Sequence, residues 1–238
     1  MLQFSDVGYR AGGRDILRGL TFALAQGETL VLLGRSGSGK TTALKMVNAL
    51  VLPTAGEVRV EGQATKAWNP IELRRRIGYV IQETGLFPHF TVAANVAVVP
   101  RLNGWAQQRI DSRVDELLTR VGFPPKEYRD RYPRELSGGQ RQRVGVARAL
   151  AADPPILLFD EPFGALDPVT RHEIRVEFKA LARDLGKTAL FVTHDVKEAL
   201  EIGDQIGLLV DGRLEELLSA SQFPQASSRE AKAFLAVL

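Results

Sequence analysis

The chain has 238 residues, enough to bury a large core as one domain with room for an inserted subdomain. It contains no cysteine, which excludes a disulfide framework and thiol chemistry and fits a reducing cytoplasm. A net charge of +3, from 31 basic and 28 acidic residues, gives little reason to expect nucleic acid as a partner, and neither a membrane-length apolar run nor a signal-peptide layout is present.

In chain order, Leu2, Phe4 and Val7 alternate as in a half-buried strand, and a Gly12-Gly13 turn leads to a second strand-like run at 20–24. Gln26-Gly27 turns the chain into Thr29-Leu30-Val31-Leu32-Leu33, a buried-strand pattern. Next comes Gly34-Arg35-Ser36-Gly37-Ser38-Gly39-Lys40-Thr41, a full match to the phosphate-binding pattern G-x-x-x-x-G-K-[ST], and 42–50 reads as a helix. Strand, loop and helix in that order are the context the motif needs. The glycines let successive amides point inward at phosphate oxygens, and the helix N-terminus adds its partial positive charge. Lys40 is placed to bring a full charge to the β- and γ-phosphates, and the Thr41 hydroxyl to reach Mg²⁺. The predicted nucleotide-binding residues are therefore Gly34, Arg35, Ser36, Gly37, Ser38, Gly39, Lys40, Thr41 and the adjoining Thr42, with a nucleoside triphosphate as ligand.

A turn at 53–56 precedes a short strand at 57–60, and 77–81 is a further strand ending at Gln82. Arg74-Arg75-Arg76 reads as a solvated helix face. From Thr91 to Ala151 the texture is mostly helical, with Ile110, Val114, Leu117, Leu118 and Val121 on one face. Pro124-Pro125 is expected to end that helix, and Gly138-Gly139 to open another that runs to Ala151. Ile156-Leu157-Leu158-Phe159 suits a central parallel strand. Asp167-Pro168 reads as an N-cap and N1 pair opening a helix with Ile174, Phe178, Leu181 and Leu185 buried. A strand at 189–192, a hairpin turn at Asp211-Gly212 and a capping-box pattern at Ser227-Ser228-Arg229-Glu230 before a terminal helix complete the chain. The expected organisation is one α/β domain over 1–238. Its core covers about 1–84 and 154–215, a helical insertion about 85–153 and a C-terminal tail about 216–238.

Three further sites carry chemistry. Asp160 and Glu161 follow the most apolar strand, at the sheet edge where α/β folds bind ligands. Asp160 suits the Mg²⁺ shell and Glu161 a general base that activates water. His194 ends the next strand and is placed to hydrogen-bond a γ-phosphate or the attacking water, whereas His89 and His172 read as structural or surface residues. Ser137, Gly138, Gly139 and Gln140 make a second anion-binding helix start, although a plain helix cap has the same pattern. Two such termini about a hundred residues apart suggest a two-fold dimer, each nucleotide shared between the loop of one subunit and Ser137 of the other.

Residues 34–41, Gln82, 136–140, 156–161, 165–167 and His194 stand in the order and spacing of the ATP-binding cassette of ABC transporters, which the chain resembles from Leu2 to about Leu214. The 136–140 segment is the specific signal, since P-loops occur in many classes. The resemblance implies a P-loop NTPase fold of the ABC ATPase type, with a RecA-like core, an antiparallel β-subdomain and an inserted helical subdomain. It implies ATP and Mg²⁺ as cofactors and a role for Tyr9 in stacking on adenine. Gln82 would sense the γ-phosphate through the metal or water, and Asp167 would line the dimer seam. Partners implied are a second ABC subunit, membrane permease subunits and, indirectly, a solute-binding protein, at the inner face of the cell membrane.

The segments 69–82, 85–89, 99–102, 104–105 and 132–136 are most similar to importer ATPases for glycine betaine, choline, carnitine and related osmoprotectants. Two departures are expected to bear on regulation and subgroup. Many such proteins carry C-terminal regulatory domains beyond the point where this sequence stops at Leu238, and Leu217-Leu218-Ser219-Ala220-Ser221 stands where Gly-Thr-Pro is usual. The alternatives are another importer, an exporter or lipid transporter, or a soluble ABC ATPase of translation or DNA maintenance. A kinase or switch of another P-loop class does not carry the 136–140 motif.

Overall fold

The computed structural model describes residues 1–82, 85–164, 171, 174–177, 179–180 and 184–238. Asp167 and His172, both singled out by the sequence, lie outside the described residues, as do Phe178 and Leu181 of the predicted buried stripe. The chain forms two compact units, Met1–Arg74 with Gly186–Leu238, and Arg75–Leu185.

In the first unit, β1 (Leu2–Ala11) and β2 (Arg14–Leu24) form an antiparallel hairpin around the Gly12-Gly13 turn. Strand β4 (Ala55–Val60) pairs on the other side of β1, and the two-residue β5 (Gln63–Ala64) on β4. Leu2 and Phe4 alternate inward on β1, and a register shift around Asp6, at φ 48°, then brings Val7 to the buried face; Phe4 stacks on Phe22 at 4.3 Å. A second set of strands runs in the order β10-β9-β3-β8. Here β3 (Thr29–Leu33) is parallel to both β8 (Thr188–Thr193) and β9 (Gln205–Val210). Strand β10 (Arg213–Ser219) returns antiparallel through the predicted Asp211-Gly212 turn. All residues of β3 and β8 are buried, as their unbroken apolar runs require of strands covered on both faces.

Helix α1 (Lys40–Val47) starts two residues before the sequence suggests, because the phosphate loop closes at Gly39. It ends at Asn48, where the Arg74 guanidinium donates to the carbonyls of Asn48 and Ala49. Arg74, on α2 (Pro70–Arg75), is therefore not merely a solvated charge. It satisfies the open carbonyls of a neighbouring helix end.

In the second unit, β6 (Ile77–Val80) and β7 (Ile156–Asp160) are parallel, and among the described residues five α-helices lie between them in sequence. They are α3 (Val92–Val96), α4 (Val98–Leu102), α5 (Gln107–Arg120), α6 (Pro125–Tyr128) and α7 (Gly138–Leu150). The predicted stripe of α5, Ile110, Val114, Leu117 and Leu118, is buried. The stop differs from expectation: α5 ends at Val121 with Gly122 at φ 78°, and Pro124-Pro125 opens α6 instead. A left-handed glycine terminates the helix before the prolines are reached, and proline then serves at a helix start, where its missing N–H is harmless.

Back in the first unit, α8 (Val196–Ile202) follows β8, and α9 (Arg229–Leu235) closes the chain. The terminal helix forms as expected, but its capping differs. Ser228 is the N-cap, its hydroxyl accepting from the Ala231 amide, while the Ser228 amide donates to Glu216 on β10. Glu230 is thus not used for a capping box. It forms an ion pair with Arg35 instead.

Candidate functional site

Strand β3 delivers Gly34 at its C-terminal end. The loop then curls through Gly37 at φ 82° and Gly39 at φ 103°, left-handed values that glycine adopts without strain. Gly39 is the N-cap of α1 and has no side chain to cap the first turn, so the helix start is dressed by backbone alone. Lys40 is only 4% exposed, and its ammonium donates to the carbonyls of Gly34 and Arg35, each at 2.8 Å. The cation is thereby bent back over its own loop. The Ser38 hydroxyl is buried with no hydrogen-bond partner, a rare condition for a buried polar atom. An unsatisfied hydroxyl, a buried ammonium and an uncapped helix start suit an oxygen-rich anion such as a nucleoside triphosphate.

The other predicted residues of this unit group around the loop to different degrees. Leu33 and Thr193 are register partners in β3 and β8, so Gly34 and His194 leave adjacent parallel strands at one level. His194 is exposed there. Tyr9, half-buried on β1, is paired across the hairpin with Leu17. The Leu17 side chain approaches Gly39 so closely that a Cβ on that glycine would lie 2.7 Å from it. Tyr9 therefore belongs to the strand pair that walls the loop. Arg35 is exposed, and its guanidinium turns to Glu230 of α9, whose hydrogen bond and charge push the Arg35 pKa up. Thr41 and Thr42 are half-buried in the first turn of α1.

The second unit carries its own group. Val80 and Phe159 are partners in β6 and β7, so Gln82 and Glu161 emerge together two residues on. Asp160, 8% exposed, accepts a 3.2 Å hydrogen bond from the Tyr79 hydroxyl. Burial, and then the Asp160 charge, push the Tyr79 phenol well up from its ordinary value, so it remains a donor. Glu161 has φ 45°, a left-handed conformation uncommon for a non-glycine residue and costing about 1–3 kcal/mol. Its carbonyl accepts from the Gly164 amide, closing a tight turn, and the Gln82 amide nitrogen lies 3.9 Å from where a Cβ on Gly164 would sit. Three of the predicted residues, Gln82, Asp160 and Glu161, thus share one strand edge.

Ser137 is exposed at the N-cap of α7, inside a reciprocal capping box. Its hydroxyl accepts from the Gln140 amide at 3.2 Å, and its amide donates to Gln140 Oε1 at 2.9 Å. Gln140 Nε2 donates to the Tyr128 hydroxyl, so this side chain shapes the loop from within, with Gly138 and Gly139 between. Among the described residues there is no cluster of three carboxylates or histidines of the kind that holds a metal alone. The candidate Mg²⁺ ligands, the Asp160 carboxylate, the Thr41 hydroxyl and the Gln82 amide, are hard oxygen donors of the type that ion accepts together with phosphate oxygens.

Two residues of this region were missed by the sequence reading. Tyr79 is visible only as an alternating strand residue, and its partner lies 81 positions away. Arg148, in the last turn of α7, donates to the Gly85 carbonyl at 2.7 Å and so holds the backbone at that glycine. An arginine at the C-terminal end of a helix is ordinary enough to hide this.

The family model described as "ABC transporter" matches residues 17–164. The chain is 49% identical, over 87% of its length, to the glycine betaine/carnitine/choline transport ATP-binding protein OpuCA of Bacillus subtilis, and covers 54% of that protein. It is 50% identical, over 90% of its length, to the glycine betaine uptake system ATP-binding protein YehX of Escherichia coli, and covers 69% of it. The chain therefore spans little more than half of some relatives it matches. Among solved structures it resembles the ATP-binding cassette MJ0796, solved as a dimer in a post-hydrolysis state bound to ADP and Pi. The TM-score is 0.81, with 34% identity over 92% of this chain and 99% of that one. No helix among the described residues is long and apolar enough to cross a membrane.

Proposed function

The chain belongs to the ABC transporter family, and from that premise we propose that it is the ATP-hydrolysing subunit of a membrane importer for osmoprotectants such as glycine betaine, choline or carnitine. The observation that carries the reading is the phosphate loop: a buried Lys40 ammonium and an unsatisfied Ser38 hydroxyl at an uncapped helix start. The substrate class rests on the likeness, near one half identity, to osmoprotectant ATP-binding proteins.

In this reading ATP is the substrate. Lys40 and the amides of 34–39 hold its phosphates, and Tyr9 meets the adenine ring. Thr41, Asp160 and Gln82 are assigned to Mg²⁺, which when bound neutralises charge developing on the γ-phosphate. Tyr79 donates to one Asp160 oxygen and so orients the carboxylate. Glu161, held in its left-handed turn, orients and activates a water, and His194 hydrogen-bonds the γ-phosphate or that water. Asp167 is assigned to the seam between two ATPase subunits, where Ser137, Gly138 and Gly139 of one subunit would contact the nucleotide bound by the other, with Gln140 holding their loop in shape. The dimer would work at the inner face of the cell membrane with permease subunits and a solute-binding protein.

The test has two arms. Purified protein should hydrolyse ATP in a Mg²⁺-dependent manner, and Glu161→Gln should abolish it. Expressed in a strain lacking an osmoprotectant ATP-binding subunit but keeping its permease, the chain should restore uptake of labelled glycine betaine or choline. ATPase activity without uptake of any such solute would refute the substrate class while leaving the enzyme reading in place.

A further inference from the structure

His194 sits in a turn tied on both sides by side-chain hydrogen bonds. Strand β8 ends at Thr193, His194 follows, and Asp195 is the N-cap of α8. The Thr193 hydroxyl accepts from the Asp195 amide at 3.0 Å and donates to Glu198 Oε2 at 2.5 Å. Asp195 in turn accepts from the amides of Lys197 at 2.8 Å and Glu198 at 3.3 Å. Thr193 is 1% exposed and Glu198 3%.

The position of Glu198 calls for a reason. The buried face of α8 otherwise carries Val196, Ala199 and Ile202, and an ionisable side chain there is expensive unless it is paired. A leucine would pack without that cost. What the carboxylate does instead is accept from a hydroxyl that spans the His194 peptide. Thr193 is bonded covalently before His194 and by hydrogen bond after it, so rotation about the His194 backbone must break the Asp195 contact. Glu198 holds the hydroxyl in the one rotamer that makes this contact.

We infer that Thr193 and Glu198 are positioning residues for His194, a buried hydroxyl–carboxylate bracket that fixes the backbone from which the exposed imidazole reaches the reacting phosphate. The inference rests on the reading of His194 given above. Short charge-assisted bonds to a buried carboxylate are strong, and small errors in the placement of a reacting group lower turnover steeply.

The experiment measures kcat and KM for Mg-ATP hydrolysis, equilibrium ATP affinity and thermal unfolding of the full 238-residue chain. The variants are His194→Ala, Thr193→Val, Thr193→Ser, Glu198→Leu and the double variant Thr193→Val/His194→Ala. Thr193→Val should lower kcat about tenfold or more with KM and ATP affinity within about twofold, and Thr193→Ser should recover most of the loss. Glu198→Leu leaves the buried Thr193 hydroxyl without its acceptor, so it should melt below the parent, be as slow as Thr193→Val and keep its ATP affinity within about twofold. The double variant should be no slower than His194→Ala alone. Where Thr193→Val fails to fold, Thr193→Ala takes its place. Wild-type kcat in Thr193→Val or Glu198→Leu, beside a slow His194→Ala, would overturn the bracket alone, as would a double variant that multiplies the two losses. Wild-type kcat in His194→Ala would overturn the underlying reading of His194 and the bracket with it.

Discussion

Gly34 and Gly37 both open the phosphate loop, but for opposite reasons, and alanine at each should fail in a distinguishable way. At Gly34 the backbone conformation is one any residue adopts, but a Cβ would lie 2.3 Å from the Leu209 carbonyl oxygen and 2.7 Å from Ser38 Oγ. The first neighbour is the backbone of β9 and cannot swing aside. Relief requires moving β3 away from its parallel partner or distorting the loop. Overpacking of this kind costs typically 1–3 kcal/mol, and a backbone neighbour argues for the upper half, so about 2–3 kcal/mol. For a chain of this size that is a fall of roughly 4–12 °C in melting temperature. At Gly37 nothing lies within 4 Å of an added Cβ, and the whole cost is its φ of 82°, about 1–2 kcal/mol. Asparagine tolerates that region, so Gly37→Asn should recover part of what Gly37→Ala loses, whereas Gly34→Asn should be worse than Gly34→Ala. Differential scanning fluorimetry measures the stabilities, and calorimetric titration the ATP affinity, which should fall most for Gly34→Ala because the Lys40 contact to the Gly34 carbonyl moves with the loop. Gly34→Ala with the parent's melting temperature and ATP affinity would refute the reasoning, as would rescue by asparagine at position 34 rather than 37.

Glu161→Gln should retain ATP binding and lose about 10³-fold in turnover, roughly 4 kcal/mol of transition-state stabilisation, and turnover within a few-fold of the parent would remove Glu161 from its role as base. The same variant should run as a dimer on size exclusion with ATP and as a monomer without it. Lys40→Ala should weaken ATP binding at least tenfold by calorimetry, since it deletes a charge-assisted contact, and unchanged affinity would contradict the assignment of the loop. Cysteines at Ser36 and Ser137, both exposed, should crosslink two subunits of Glu161→Gln only when ATP is present. Ser38 is the worse position for that pair because its side chain is buried. Crosslinks independent of nucleotide would count against a shared site.

The parts of the site legible in the sequence are those in which local chemistry and strand order agree. The loop 34–41 carries Gly37 and Gly39 where the backbone turns left-handed, and Asp160, Glu161 and His194 follow the most apolar runs in the chain, which the structure makes into buried strands. What stayed hidden depended on partners far away in sequence. Two adjacent serines at 227 and 228 fit an N-cap equally well. The choice falls to Ser228 because Glu216, 12 positions earlier, accepts its amide. Glu230 was then free to reach Arg35, 195 positions away, a pairing that no window of sequence displays. The misplaced end of α5 has a different cause. Gly122 and the prolines are both stop signals, and the nearer one acts first. Glu198 was invisible because a charged residue in a helix is by default read as facing water.

Helix α7 has its ends tied to two different things. Its first turn presents Ser137, and its last turn, through Arg148, holds the Gly85 carbonyl. A helix of 13 residues is about 20 Å long and does not compress, so it behaves as a lever arm. A tilt of roughly 10° about one end carries the other through about 3–4 Å, more than the reach of any hydrogen bond. A partner docked at Gly85 would therefore not need to touch a nucleotide to move Ser137. Lengthening or shortening the arm by one residue would turn the tip by about 100° and leave the gripped end in place, disconnecting the two without removing either.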